Sequence, residues 1–281
     1  MELNQEPENK ILYHYTDFTA LDGIVHKREL RVNNVLNMND ATEMELFMSG
    51  IFNAIEKRFS PEQDSKIILV LHHMLEEIQK RYFDFSVYAA CFSGFRDDAS
   101  QWERYANRGK GVCLCIQKSV LEKMTGGAIS LQEVFYQEDM ESHPLVDKIY
   151  NLLKKDRVNN DSPALHEAIH EAWCNCASFK HPSFMSEHET RLIVMPFEVK
   201  NFEIKPQYHV TKDRIKKYYP LNLDSMCLTA GVNIEDLIIE IMIGPESTQS
   251  APILRDYLQD LGLNRLAEYI SNSNCPLRSK I

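Results

Sequence analysis

The sequence predicts an α+β fold. Segments rich in strand formers and segments with apolar residues at helical spacing follow one another without the strict βαβ rhythm of a doubly wound sheet. The chain of 281 residues is 44% hydrophobic, which is enough to bury a full core, and it contains no internal repeat. We therefore expect a single domain over residues 11–281, which follows an acidic tail at 1–10 and carries helical insertions at about 41–81 and 141–178.

The N-terminal half is predicted to begin with a strand at 11–16, because Ile-Leu-Tyr-His-Tyr-Thr is rich in strand-forming residues. Asp17 or Thr19 caps a helix that runs to about Lys27, and a short extended segment and an asparagine-rich loop follow. The remaining predicted elements of this half are helices at 41–59 and 61–81, strands at 86–93 and 111–117, and between these strands a loop and a short helix that begins near residue 98.

The elements of the C-terminal half are predicted from similar patterns of apolar residues and turn formers. The predicted elements are a strand at 129–136, a helical stretch at 145–178 that is broken at 159–163, a charged strand near 187–195, a strand at about 199–204, a helix at 224–230, an apolar run at 234–243, a turn at 244–246 and a helix at 250–262.

Charged residues recur at a spacing of two in the charged strand. Glu187, Glu189 and Arg191 lead straight into an apolar run. Alternate side chains of a strand share a face, so two carboxylates and a guanidinium would stand together. Such groups beside core residues are unfavourable unless they face water or a polar ligand. The pattern therefore fits either a solvated strand edge with an exposed Glu-Arg ladder or a functional site.

The composition indicates a cytoplasmic protein. The first ten residues are polar and acidic, unlike the basic start and apolar middle of a signal peptide. No apolar run approaches the roughly 18 residues of a membrane span. Seven cysteines, an odd number, favour reduced thiols over a disulfide framework. We expect no membrane partner.

The formal net charge of −10 and the sequence pI near 5.5 argue against broad attraction to nucleic acid. One basic-aromatic cluster stands out, and it consists of Lys212, Arg214, Lys216, Lys217, Tyr218 and Tyr219. Basic groups beside rings could track a single strand of nucleic acid. The alternative, which we expect here, is that these charged residues lie at a solvated helix end.

Metal and phosphate-loop sites are not indicated. Cys113 and Cys115 are spaced Cys-x-Cys, as is a second pair at 174 and 176, whereas structural zinc usually takes Cys-x2-Cys, so we expect no metal. Gly109-Lys-Gly111 lacks the spacing of a dinucleotide or nucleotide fingerprint. A Cys-His nucleophile pair stays open, although nothing marks one cysteine as activated.

His14 lies in the first predicted strand, in phase with Leu12 and Thr16, and its neighbours Tyr13 and Tyr15 point the other way. A lone strand histidine is more often structural, because one hydrogen bond can hold a buried imidazole. Other segments of the chain give His14 a second interpretation.

An ordered set of segments carries a resemblance to a known family. These segments are Tyr13-His14-Tyr15-Thr16, Asn37-Met-Asn39-Asp40-x-x-Glu43, Cys91-Phe92-Ser93, Ser100-Gln-Trp102-x-x-Tyr105, Gly111-Val112, Phe179-Lys180-His181-Pro182-x-Phe184-x-x-Glu187-x-Glu189-x-Arg191-Leu192, Ile243-Gly244-Pro245 and Ser273-x-x-Pro276-x-Arg278. The order and spacing of these segments resemble those of the bacterial domain-of-unknown-function family DUF2971, from residue 11 to about 279. That family resembles the ADP-ribosyltransferase superfamily. One departure is Leu277, where an aromatic residue is expected.

The resemblance implies an ADP-ribosyltransferase-like split core of two packed, mostly antiparallel sheets with peripheral helices, which holds NAD, the substrate, in a cleft. A first-strand histidine or arginine and a late-strand glutamate are the recurring site residues of that superfamily, and they correspond to His14 and Glu189. Glu187 is the alternative acid. Tyr15, which follows the histidine, joins the expected catalytic set.

The remaining site residues are expected from the chemistry of NAD. Breaking the nicotinamide-ribose bond builds an oxocarbenium-like charge that a fixed carboxylate such as Glu189 stabilises, while His14 holds another ribose contact. An aromatic ring would cover the cationic nicotinamide, with Trp102, Tyr105 or Tyr15 as the candidates. The other expected NAD contacts are Thr16, Asn39, Ser93 and Arg191, the last of these at the pyrophosphate or at Glu187, with Arg96 as a second candidate for that role.

The sequence thus predicts an NAD-dependent enzyme that transfers ADP-ribose to a macromolecule, either nucleic acid or protein. A toxin or phage-defence role and a neutralising partner protein are further expectations from such relatives. The alternatives are an NAD glycohydrolase, with water as the acceptor, and a non-catalytic module that binds a nucleotide or a protein.

Overall fold

A computed structural model describes residues 10–35, 41–80, 86–137, 139–156, 162–196 and 203–277. The described helices are α1 (Phe18–Val25), α2 (Ala41–Glu56), α3 (Ser65–Lys80), α4 (Ala99–Tyr105), α5 (Lys118–Lys123), α6 (Pro144–Asp156), α7 (Pro163–Cys176), α8 (Leu223–Ala230), α9 (Ile234–Leu237), α10 (Ala251–Asp260) and α11 (Asn264–Glu268). The strands are β1 (Ile11–Thr16), β2 (Glu29–Asn34), β3 (Tyr88–Ser93), β4 (Val112–Gln117), β5 (Ile129–Glu133), β6 (Phe135–Tyr136), β7 (Phe179–Lys180), β8 (Glu189–Val194), β9 (Gln207–Val210), β10 (Ile215–Asn222), β11 (Ile238–Ile243) and β12 (Ile270–Asn272).

Ten of these strands form one branched sheet, which confirms the α+β class. The main path runs in the order β12-β11-β4-β1-β3-β2-β10-β9, and β8 and β5 extend from β3. Every pair in this sheet is antiparallel except β11 with β12. Strands β6 and β7 form a separate parallel pair. The finer expectation, an ADP-ribosyltransferase-like split core, stays a prediction.

The sheet forks at β3. One edge of β3 pairs with β8 along its whole length. The other edge meets β1 where Tyr13 faces Ser93, and it meets β2 where Asn33 faces Ala89. Among the described strands, none pairs with that edge at Cys91, between the two branches. A backbone carbonyl in such a gap needs another hydrogen-bond donor.

The two faces of the sheet are covered by different cores. One side, the aliphatic face, carries Leu12, Ala90 and Leu192 and packs against α1, α5 and α8 to α11. The opposite side, the mixed face, carries Ala89 and Ile193 under α2, α3, α6 and α7. The helices of the two predicted insertions therefore pack together. A smaller cluster on the mixed face of β1 and β4 contains Trp102 of α4.

Two glycines allow close contact between loops at the end of β1, β4 and β11. A Cβ atom on Gly111 would lie 2.1 Å from the Thr16 carbonyl oxygen, and one on Gly244 would lie 2.3 Å from the Gly109 carbonyl oxygen. Gly244 N donates to Gly111 O at 2.9 Å. The glycines of the Gly111-Val112 and Ile243-Gly244-Pro245 segments are therefore needed for backbone packing.

The structure corrects the predicted charged strand and the predicted basic helix end. Residues Pro182–Glu187 form a 3₁₀ helix, so the charged strand begins at Glu189 and not near 187. The basic-aromatic cluster lies on the β9-β10 hairpin, so the expected helix end is wrong. Alternating side chains favoured a strand there, and the tight turn between Thr211 and Arg214 closes the hairpin.

Some predictions fall beyond the described parts of the chain. Asn39 lies outside the described residues, as do the acidic tail up to residue 9 and most of the predicted strand at 199–204. Within the described parts, no helix combines the length and the apolar character needed to cross a membrane.

Candidate functional site

Four charged side chains form a buried cluster on the mixed face. This charged cluster consists of Lys180, Glu187, Glu189 and Arg191, which are only 2% to 6% exposed. Lys180 Nζ donates to Glu187 Oε2 at 2.6 Å and lies 2.9 Å from Glu189 Oε2. Arg191 Nε donates to Glu189 Oε1 at 2.9 Å. Because the four groups are buried, the exposed Glu-Arg ladder considered from the sequence is excluded.

A left-handed residue between the two acids directs both of them into the charged cluster. His188 ends the 3₁₀ helix with φ 40°, a conformation that few residues other than glycine adopt. The turn replaces the regular strand spacing between Glu187 and Glu189. The His188 ring packs edge-on against Phe95 with 4.5 Å between the ring centroids, and its carbonyl accepts from Gly94 N at 2.8 Å.

The charged cluster keeps Glu189 ionised. Burial acts to raise the pKa of Glu189, but the nearby charges of Arg191 and Lys180 outweigh it and lower this pKa to about 2. For Lys180, burial acts to lower the pKa, and the two carboxylates raise it above the ordinary lysine value. Ion pairs therefore persist across the physiological pH range.

Glu187 is the acid that connects to the surface. Arg104 Nη1 donates to Glu187 Oε1 at 2.7 Å, and the Arg104 side chain is 49% exposed. The Tyr105 hydroxyl donates to the same oxygen at 3.2 Å, and this residue is 38% exposed. Both donors come from α4, whose first turn is capped by Asp98. Burial, followed by the charge of Glu187, raises the pKa of Tyr105, so the phenol stays protonated.

Glu189 contacts a different set of groups. Its backbone N–H donates to the Tyr136 hydroxyl at 2.9 Å, and its carboxylate meets Arg191, Lys180 and the Cys91 side chain. Burial, and then the charge of Glu189, raises the pKa of Cys91 well above that of a free thiol. Cys91 is therefore a neutral thiol and lacks the activation that a nucleophile needs.

His14 lies on the aliphatic face of the sheet, opposite the charged cluster. Side chains directly opposed in an antiparallel pair share a face, so the pairing of Tyr13 with Ser93 and of Ser93 with Glu189 places Tyr13 and Glu189 together and His14 on the other side. The His14 ring lies 5.4 Å from that of Phe92, which also points to the aliphatic face.

The His14 imidazole satisfies the carbonyl that the fork leaves unpaired. Its Nδ1 lies 2.9 Å from Cys91 O, and since a carbonyl only accepts, Nδ1 carries the proton of this hydrogen bond. Burial lowers the pKa of His14, which keeps the ring neutral. His14 and Glu189 therefore contact Cys91 from opposite faces of the sheet. Their side chains do not meet on one side of it.

The other predicted site residues fall into two groups. Ser93 and Tyr105 lie at the charged cluster, where the Ser93 hydroxyl donates to Glu187 O at 3.0 Å. Tyr15, Thr16 and Trp102 lie away from it. Thr16 is buried on the His14 side of β1, at its end.

Two of the aromatic residues that are predicted to contact NAD are held by other packing contacts. Trp102 is fully buried, its Nε1 donates to Asp97 Oδ1 at 2.7 Å, and its ring meets Tyr15 edge-on. The Tyr15 hydroxyl is held between Phe95 O and Asp98 N. Both rings therefore order the loop before α4 and present no free face to a nicotinamide, which leaves Tyr105 as the accessible candidate.

Arg191 is in the charged cluster but not at the surface. Besides Glu189, its Nη1 donates to Ala177 O at 2.8 Å. Arg191 therefore holds Glu189 in place, whereas the sequence predicts a contact with the pyrophosphate or with Glu187. Arg104 is the exposed guanidinium of the site.

Sequence reasoning missed Lys180, Arg104 and Tyr136. Lys180 stands in the same segment as Glu187, seven residues before it, and a buried carboxylate pair requires a cation. Arg104 neighbours Tyr105 on the short helix, so it was within reach of the same reasoning. Tyr136 contacts the site through its hydroxyl, which accepts a hydrogen bond from the backbone N–H of Glu189. No pattern in the sequence indicates this contact.

Comparison with known proteins gives one match. Residues 101–192 match the model of DUF2971, a protein family of unknown function. That stretch runs from α4 to β8 and contains the whole charged cluster together with Arg104 and Tyr105. A search of curated proteins and a search of solved structures each returned no match.

Within the described residues, no group of three or more histidine, cysteine, aspartate and glutamate side chains is placed to hold a metal ion. The chemistry that the charged cluster offers is that of fixed carboxylates, cations and a phenol. Such an arrangement can stabilise a developing positive charge at the acids and bind an anion at Arg104.

Proposed function

We propose that the protein is an NAD-dependent ADP-ribosyltransferase-like enzyme in which Glu187 and Glu189 form the acidic part of the site. The observation that supports it is the convergence of both Glu-x-Glu carboxylates on Lys180, buried beneath the half-exposed Arg104 and Tyr105. The resemblance of the ordered motifs to the ADP-ribosyltransferase superfamily supplies the substrate, NAD.

In this reaction the bond between ribose C1′ and the nicotinamide nitrogen breaks, and its electron pair leaves with nicotinamide. The ribose becomes oxocarbenium-like, and a nucleophile of the acceptor adds to C1′ and loses a proton. A carboxylate held in a water-poor site stabilises that charge more than it stabilises the ground state.

The contacts of the two acids favour Glu187 as the one nearest the ribose. Within the described residues, its Oε1 is hydrogen-bonded by Arg104 and Tyr105, and both of these side chains reach the surface. Glu189 is held by Arg191 and Lys180 and acts as a positioning residue, because it fixes the ammonium that orients Glu187.

Arg104 gives the pyrophosphate a binding group. The charged cluster together with Arg104 contains three cations and two carboxylates, so it carries a surplus positive charge that suits an anion. A pyrophosphate bound to Arg104 would draw this side chain from Glu187 and free a carboxylate oxygen for the ribose. The Tyr105 ring would lie beside the nicotinamide.

Incubation with NAD labelled in its adenylate half tests the proposal. We expect purified protein to release nicotinamide and, in a host lysate, to move the label into macromolecules that nuclease or protease then digests. Nicotinamide release with all of the label in free ADP-ribose would indicate a glycohydrolase. NAD binding without any nicotinamide release would contradict the proposal and indicate a binding module.

A further inference from the structure

A basic hairpin forms one end of the branched sheet. This basic hairpin comprises β9, β10 and the turn between them, and β9 is the terminal strand of the sheet. All four residues of β9 are exposed. Such an edge is open to another molecule, since its outer backbone groups have no strand partner among the described residues.

Apolar side chains share one face of the basic hairpin. Val210 faces Ile215 and Tyr208 faces Lys217 in the antiparallel ladder, which places these four side chains on the same side. Tyr208 is 64% exposed, Val210 70% and Ile215 63%. A solvent-exposed tyrosine ring flanked by a lysine and two aliphatic side chains is a platform on which a planar group can stack.

The charge of this segment opposes that of the rest of the chain. Residues 203–219 contain five lysines and arginines but two acids, whereas the whole chain has a formal net charge of −10. The cations are Lys205, Lys212, Arg214, Lys216 and Lys217. Within the described residues, no salt bridge joins any of these five to a carboxylate. An unneutralised basic strip on an acidic protein favours a polyanion as its partner.

We propose that the basic hairpin is a docking surface for single-stranded nucleic acid. Lys212 and Arg214 at the turn and Lys217 on the Tyr208 face contact phosphates, and Tyr208 stacks on a base. A single strand fits better than a duplex because only unpaired, splayed bases offer their faces to an aromatic ring. This inference stands apart from the NAD reaction, since it rests on the basic hairpin and not on the charged cluster.

Fluorescence anisotropy with a labelled oligonucleotide of mixed sequence tests the inference in the absence of NAD. The probe is a single strand of roughly 16 nucleotides, as DNA and as RNA, in about 50 mM salt. The hairpin variant combines Lys212→Gln, Arg214→Gln and Lys217→Gln. We expect it to bind at least about tenfold more weakly, with the slope of log Kd against log salt reduced in magnitude by about 2.

A matched control removes the same charge elsewhere. Lys66→Gln, Lys154→Gln and Lys155→Gln alter three exposed lysines on α3 and α6. We expect this control to change Kd by less than about twofold, because screened charges far from the contact contribute little. Tyr208→Ala keeps every charge, and we expect it to weaken binding about tenfold through lost stacking.

Three results would overturn the inference. They are no binding at the lowest salt, equal weakening by the control and hairpin variants, and a duplex probe that binds as tightly as the single strand. Thermal unfolding of each variant verifies its folding. If the triple hairpin variant fails to fold, Tyr208→Ala is the deciding variant. A wild-type affinity of Tyr208→Ala for the oligonucleotide would contradict the stacking contact and overturn the inference.

Discussion

Glu187 and Glu189 share the ammonium group of Lys180, which lies 2.6 Å from one carboxylate and 2.9 Å from the other. In a regular strand these two residues would share one face, with their Cα atoms about 7 Å apart. The left-handed His188 between them brings the carboxylates together. Two acids in a buried position are stable only with cations beside them, which makes Lys180 and Arg191 part of the fold as well as of the site.

Removal of Lys180 should destabilise the protein strongly. We expect Lys180→Met to reduce the free energy of unfolding by about 3 to 5 kcal/mol, because it leaves buried carboxylates without their shared cation. Urea denaturation measures this change. Lys148→Met is the control, since Lys148 pairs with Glu171 at the surface, where both side chains are nearly half exposed, and should change stability by less than about 1 kcal/mol. Equal effects of the two substitutions would contradict the structure of the charged cluster.

The stability of the protein should fall in acid through Glu189. Its folded pKa of about 2 lies below its ordinary value of 4.5, so its ion pairs stabilise the fold fully above about pH 5 and lose this contribution as the pH falls towards 2. The difference between these pKa values corresponds to about 3 kcal/mol. Urea unfolding at a series of pH values measures it. Glu189→Gln should lack this part of the acid dependence, and an unchanged pH profile in the variant would refute the assignment.

Gly111 should not tolerate a side chain. We expect Gly111→Ala to destabilise the protein by more than about 2 kcal/mol, because its Cβ would lie 2.1 Å from the Thr16 carbonyl oxygen. Gly23→Ala is the control in helix α1, where the nearest atom to the new Cβ is 3.9 Å away and alanine favours the helix. Thermal unfolding should show a lower Tm for the first variant and an equal or higher Tm for the second. The packing argument fails if Gly111→Ala matches wild type.

His14 should matter for stability more than for the reaction. We expect His14→Ala to reduce the free energy of unfolding by about 1 to 3 kcal/mol, because Cys91 O loses its donor at the fork. Where the variant is folded, nicotinamide release should stay within about threefold of wild type, since the imidazole lies on the face away from the charged cluster. A loss of about 100-fold with unchanged stability would instead place His14 in the chemistry, as the sequence predicts.

Local patterns were sufficient for much of the fold. The strand formers of 11–16 and the apolar stripes of the two helices after residue 41 correspond to β1, α2 and α3, with boundaries that differ by a few residues. The basic hairpin was missed, although its side chains alternate with a period of two. The cluster of charges favoured a solvated helix end, whereas the alternation of side chains fits a strand.

The candidate site could be predicted only in part, because much of it is assembled by distant pairing. The spacing of Glu189 and Arg191 correctly placed them on one face. The left-handed His188 and the approach of Arg104 from α4 depend on contacts that no local pattern encodes. The face that His14 occupies depends on the register of β1 with both neighbouring strands, which is Tyr13 opposite Ser93 on β3 and six opposed pairs on β4.

The most direct test is the rate of nicotinamide release from NAD by wild type and by Glu187→Gln, with Glu171→Gln as a surface control of equal charge change. We predict measurable release by wild type, a loss of about 100-fold or more in Glu187→Gln and in Glu189→Gln, and no loss in the control. Wild-type rates in both folded site variants, or no release by wild type, would contradict the proposal that this acid pair carries NAD chemistry.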